Sequence, residues 1–219
     1  MRATDAPPWW RLTGDSGTEM IGPAMTTLSS VVARLASLTR CAGIVYIAVQ
    51  VAIWHSFYAA GPWRLAGPAA AAAWAAVVAA DLRRRWPAPW FVCLDTAVYV
   101  ALALSAQAGV APAIRGSAAS WLLVSMWSQL IVPAWYAPAA FAVPLALASP
   151  MAYFVGTEHA TATGSRATVA ATFLLVVAAG VHIYVRGQLY RRAATADTAL
   201  ADADRAAGEQ FVILSRNIE

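Results

Sequence analysis

The sequence predicts an all-α polytopic membrane protein: six transmembrane helices, both termini on the cytoplasmic side, and a cytoplasmic C-terminal helix that reads as a coiled coil. Three observations predict it. Of the 219 residues 60% are hydrophobic and 12% charged, against about 25% charged in an ordinary soluble domain. The charges gather in short segments and leave long apolar runs, and about 20 apolar residues are what a ~30 Å hydrocarbon core needs. The basic residues are all arginines, and their distribution is lopsided. With the N-terminus inside, only Arg64, Arg115 and Arg166 fall outside, and every other arginine falls on the cytoplasmic side, as the positive-inside rule requires.

Taken in order, residues 1–33 carry prolines, glycines and acids without a periodic apolar face, and read as a disordered cytoplasmic leader. No small-residue cleavage pattern follows the first apolar run, which argues against a signal peptide. Residues 34–186 form the membrane domain, with spans at 41–58, 66–81, 90–107, 118–133, 137–155 and 167–185. The second is weakest: it is mostly alanine, Trp74 supplies its bulk, and it depends on its neighbours to stay inserted. Arg83, Arg84 and Arg85 are the strongest topological anchor. Trp54, Trp63 and Trp121 near the outer interface, and Trp86, Trp90 and Trp135 near the inner one, read as aromatic belts. The outer connections, near 59–65, 108–117 and 156–166, are too short to hold a folded sensor domain.

The net charge of +4 and pI near 9.4 do not imply nucleic acid, because the arginines flank spans and form no stripe on a soluble face. Cys41 and Cys93 are far apart and read as small packing residues, with no metal-ligand spacing. No phosphate-binding, dinucleotide, zinc-protease or nucleophile-elbow signature occurs, so no catalytic, cofactor or metal residue is assigned and no cofactor is expected. Glu158 and His159 in the last outer loop lack further ligands and read as solvated.

Polar groups at membrane depth are the candidates for sensing or packing. Asp95 is the one carboxylate well inside a span. It reads as a proton or ligand relay, or as half of an ion pair with Arg40 or Arg83–Arg85, or as a partner of Tyr99 one turn on; its shallow depth favours the structural readings. Gln50 and Gln129, with Ser125 and Ser128 on the face of Gln129, read as interhelical glue. His182 is able to titrate near neutral pH, yet a lone intramembrane histidine is more often a packed, hydrogen-bonded one.

Residues 187–219 continue the last span as a charged, helix-prone segment. Ala193, Ala196, Leu200, Ala203 and Ala207 follow heptad spacing, and Phe211, Leu214 and Ile218 resume it after a four-residue step beside Ala207. That is a stutter, which locally unwinds a coiled coil. The segment reads as a parallel homodimer helix; the alternative is a surface helix on the inner leaflet.

The tail stretch Arg205–Glu219, RAAGEQFVILSRNIE, resembles the linker before the dimerisation helix of actinobacterial sensor histidine kinases, of the MacS and nitrate-sensor-like subgroup. The resemblance is specific over that stretch and architectural elsewhere. It implies a membrane input module of a two-component system, working with a histidine kinase catalytic core and a response regulator. His55, His159 and His182 all precede the tail, their contexts do not match a phosphoacceptor, and no ATP lid occurs, so no phosphotransfer residue carries over. The chain is therefore expected to be the sensor half without its catalytic half. A small transporter, with Pro144 and Pro150 as its mild support, and a passive membrane anchor are the alternatives.

Overall fold

The computed structural model describes residues 23–58, 63–84, 87–105, 120–157 and 162–216. All regular structure among them is helical: α1 (Pro23–Ile53), the single turn α2 (His55–Tyr58), α3 (Trp63–Arg84), α4 (Pro89–Leu104), α5 (Trp121–Tyr136), α6 (Ala139–Thr157) and α7 (Ala162–Arg216). Glu158, His159, Arg85, Trp86 and Ile218 lie outside the described residues.

Local chemistry sets several boundaries. Pro89 opens α4 at a position where its missing N–H costs nothing, after an extended Ala88. Ser120 caps α5 by accepting from the Leu122 N–H at 3.3 Å. Ala137 is extended, as the residue before a proline prefers, and ends α5. The first helix departs from expectation, because it begins at Pro23, inside the segment read as a disordered leader. The reason is tertiary: its first turn is held by the tail, through Asp197.

Four helices are long and apolar enough to cross a membrane: α1, α3, α6 and α7. The described parts of α4 and α5 have 16 residues each, a length of about 24 Å at 1.5 Å rise. Around the bundle, Val45, Ile53, Trp90, Phe141, Phe173 and Val181 turn large apolar side chains outward. Outward apolar side chains of that kind are consistent with a lipid-facing surface.

α5 is the axis. Nearly all its side chains are buried, and α1, α7, α6, α4 and α3 surround it in that order. Consecutive helices run up and down, so Arg83, Arg186 and the start of α4 share one end, the arginine end. Two apolar cores stack along α5. One, around Val32, Val78, Phe91, Val132 and Tyr136, fills the arginine end. The other, around Ile47, Tyr99, Trp121, Leu122 and Tyr153, fills the far end. Trp121 and Trp135 are buried in these cores and are not part of an interfacial belt, whereas Trp90 is exposed.

Small residues permit the close approaches. α3 lays Ala71, Ala75 and Ala79 against the bundle, chiefly on α1, and touches α4 and α5 little. This agrees with a weakly apolar helix that leans on a neighbour. At the far end, a Cβ on Gly156 of α6 would sit 2.0 Å from the backbone oxygen of Ala103 in α4. Gly156→Ala must therefore push α4 and α6 apart. Overpacking of that kind costs about 1–3 kcal/mol, roughly 2–12 °C in Tm for a chain of this size. Gly180→Ala, with nothing within 4 Å of the new methyl, should leave Tm unchanged or higher. Thermal unfolding in detergent checks the pair, and equal behaviour of the two variants would refute the close packing of α4 on α6.

Candidate functional site

Between the two apolar cores lies a layer of polar side chains drawn from five helices. Arg40 of α1 and Asp95 of α4 form an ion pair, Nη2 to Oδ2 at 2.5 Å, with both side chains 0% exposed. Trp74 of α3 donates its indole N–H to the other carboxylate oxygen, Oδ1, at 2.8 Å. The Arg40 guanidinium lies over the Tyr99 ring, 5.0 Å from its centroid, a cation–π contact strengthened by the burial of both side chains. Gln129 of α5 lies beside the Asp95 carboxylate, and Ser149 of α6 donates to its Oε1 at 2.6 Å. Gly43, one turn beyond Arg40, lets α1 approach α5, since a Cβ there would meet the Ser128 Oγ at 2.9 Å.

In this layer the Asp95 carboxyl is the partner of the Arg40 guanidinium. Arg40 Nε and Nη1, Gln129 Nε2 and the Tyr99 hydroxyl have no hydrogen-bond partner among the described residues. Three of these four can only donate. The pair is thus a rigid, donor-rich knot and not a paired-carboxylate or nucleophile–base arrangement. The described residues contain no group of three or more His, Cys, Asp or Glu side chains able to hold a metal.

A second contact set ties α7 to the arginine end of α5. Pro138 has no N–H, so the carbonyl of Ala134 lacks its usual helical donor. Arg186 supplies one: its Nη1 donates to Ala134 O at 3.0 Å and to Ala137 O at 2.8 Å. A buried cation at a helix C-terminus is favoured by the helix dipole as well. Its guanidinium lies 5.7 Å from the Tyr190 ring centroid, and burial pushes the Tyr190 phenol up to about 12, with Arg186 opposing. One turn earlier on α7, His182 Nδ1 accepts from the Trp135 indole at 3.2 Å. That bond places the proton of a neutral ring on Nε2.

Of the residues singled out by the sequence, Asp95, Tyr99 and Gln129 meet in the polar layer. Gln50 does not: it donates to the Tyr46 hydroxyl on its own helix. His182 makes the separate contact with Trp135. Ser125 and Ser128 bond backward to Trp121 O and Ser125 O, within α5. Arg83 donates to Ser37 at 2.8 Å, linking α3 to α1, while Arg84 is exposed. Leu200 and Phe211 are exposed, Phe211 to 73%, as is Ala207; Leu214 continues the same helix.

Trp74, Ser149, Arg186 and Asp197 were missed, whereas Arg40 stood among the candidate partners of Asp95. Arg40 and Arg186 read as interfacial anchors, yet both are buried. The signal that had made Arg40 a candidate was that a carboxylate inside a span demands a counter-charge. For Arg186 it was the Ala-Pro step that orphans a carbonyl at the end of α5. Comparisons with protein-family models, with characterised proteins and with solved structures gave no match.

The pair's energetics are testable. Arg40→Met or Asp95→Leu alone strands a buried charge and should cost about 3–5 kcal/mol, whereas the double replacement should recover most of that loss. Denaturation of the full chain in detergent, run as a double-mutant cycle, checks it. Additive losses would mean that the two side chains are not held by each other.

Proposed function

We propose that this chain is the membrane input module of a two-component sensor histidine kinase. In this reading six helices cross the plasma membrane, both termini are cytoplasmic, and the paired tails of a homodimer relay the signal to a kinase core that these residues do not include. The observation that carries it is α7, a single helix of 55 residues, about 82 Å long. Its first half packs in the bundle, and its second half leaves it with no break.

The physical logic is transmission. A continuous helix passes a shift or rotation at Arg186 to its far end, because its internal hydrogen bonds resist bending. Beyond Asp197 the helix is exposed on all sides through Ile213. Leu200, Phe211, Val212 and Ile213 offer apolar surface there that a partner helix would cover. The resemblance of Arg205–Glu219 to kinase linkers supplies the identity of the output. The stutter beside Ala207 is the bistable element, since neighbouring heptad registers differ little in energy. The transporter reading requires broken helices near the midplane, and α6 runs through both Pro144 and Pro150 as one helix.

Reporter fusions at Arg84 and Glu219 should face the same compartment; opposite compartments would dismantle the proposal. In a background with Cys41 and Cys93 replaced, Leu200→Cys should crosslink between two copies in the membrane. Adding Phe211→Ala and Leu214→Ala should abolish most of the crosslink, as expected from removing two seam side chains worth roughly 2–5 kcal/mol each when buried. Unchanged crosslinking would count against a paired tail.

A further inference from the structure

The expected leader and the tail meet where neither was expected to have a partner. Asp197 of α7 accepts two backbone hydrogen bonds from the first turn of α1, from Ala24 N at 2.9 Å and Met25 N at 3.2 Å. These are among the N–H groups that no helix satisfies internally, and a carboxylate there also meets the positive end of the helix dipole. Capping side chains ordinarily come from the helix's own N-cap residue. Here the acceptor comes from a residue some 170 positions away. Beyond Asp197, every side chain of α7 described through Ile213 is exposed, whereas Ala193 and Asp197 themselves are part-buried. The contact thus marks the point where the tail leaves the bundle.

We infer that Asp197 is a releasable clasp, which holds the root of the tail against the start of α1 and regulates when that tail is available to a second copy. The pairing half of this rests on the dimeric reading above. Two features make the clasp the weak point of α7. Arg186 is buried and satisfies carbonyls that have no other donor, so its grip on α5 is costly to break. Asp197 is half-exposed, and water competes for both sides of its bonds. A helix fixed at Arg186 and clasped eleven residues later, about 16 Å on, pivots when the clasp opens.

The same geometry says what opens it. α1 is one unbroken helix from Pro23 to Ile53. It carries Arg40 in the polar layer and the clasped turn about 25 Å away along its axis. Any change at the Arg40–Asp95 pair that shifts α1 therefore moves the N–H groups that Asp197 holds. The tail face bearing Asp197 lies next to the face bearing Leu200, so a clasped α1 also crowds the approach of a partner helix.

The test uses the full chain in lipid nanodiscs, with Cys41 and Cys93 replaced and spin labels at Thr27→Cys and Thr198→Cys, both exposed positions. Labelled chains are diluted into unlabelled ones, so that only distances within one copy are read. The native chain should give one short, narrow distance. Asp197→Ala should add a longer population and raise the open-to-closed ratio ~5–30-fold, the size expected for a lost cap, with Asp197→Asn between the two. Asp202→Ala, which removes only an exposed partner of Arg205, should leave the distance unchanged. An unchanged distribution in Asp197→Ala overturns the clasp. Crosslinking of Leu200→Cys is read in parallel and should rise several-fold in Asp197→Ala. If it is absent with and without the substitution while the distance still lengthens, the clasp stands and the paired-tail reading falls.

Discussion

Burying a guanidinium and a carboxylate inside an apolar bundle is tolerable only when each is held by the other, and that condition organises this structure. Separately, either charge would cost several kcal/mol in this environment. Together, Arg40 and Asp95 require α1 and α4 to stand at a fixed height beside α5. Trp74 then fixes α3, which otherwise leans chiefly on α1, and Ser149 fixes α6 through Gln129. Five helices are thus brought into register by one neutralised charge pair, while the apolar cores above and below supply area without specifying height. Hydrophobic contact inside a membrane is nearly indifferent to sliding, because lipid tails are as apolar as leucine. A polar layer is not.

How much of this could be read from the residues depends on which interactions are local. Helix positions were legible, since apolar runs bounded by Pro, Gly and Arg leave few choices: the predicted segments 66–81, 90–107, 118–133 and 137–155 overlap α3, α4, α5 and α6 closely. The continuity of α7 through Arg186 into the tail was legible for the same reason, as no breaker interrupts it. Asp95 was legible as an anomaly, and Tyr99 and Gln129 as polar neighbours at plausible depth. Its partner was not settled, because choosing Arg40 over Arg83 requires the relative heights of α1 and α3. That is a tertiary quantity, set here by Ser37 bonding both Ala79 O and Arg83.

The misreadings share a cause. Arginines and tryptophans near the ends of apolar runs have a strong statistical meaning as interfacial anchors, and Arg83, Arg84 and Trp90 are consistent with it. Arg40, Arg186, Trp121 and Trp135 occupy the same sequence context and are buried. What sets the two arginines apart is a specific unmet need elsewhere: a carboxylate at residue 95, and a carbonyl orphaned by Pro138. Composition near a span end cannot register a need that lies on another helix. Residues 23–33 failed in the same way, since their own pattern is not helical enough and the stabilising acceptor sits on the tail.

The contacts along α7 form a gradient, and its direction bears on how such a helix would work. At His182 and Arg186 the helix is bound to α5 by buried hydrogen bonds. At Asp197 it is bound to α1 by part-buried ones. Beyond Asp197 the described side chains of the helix are exposed through Ile213. An element that must report a change needs this ordering, because a uniformly tight helix would absorb a small shift and a uniformly loose one would average it away. The two grips also draw on different sources. α5 carries Gln129 beside the Asp95 carboxylate, whereas α1 carries Arg40, so the two halves of one ion pair reach α7 by two routes. A perturbation that separates the pair moves the two grips relative to each other. A rigid displacement of the whole layer moves both together and leaves the tail unaltered. On the proposed reading of α7 as a transmitting helix, the tail answers to the distance between Arg40 and Asp95 and not to a common displacement of the two.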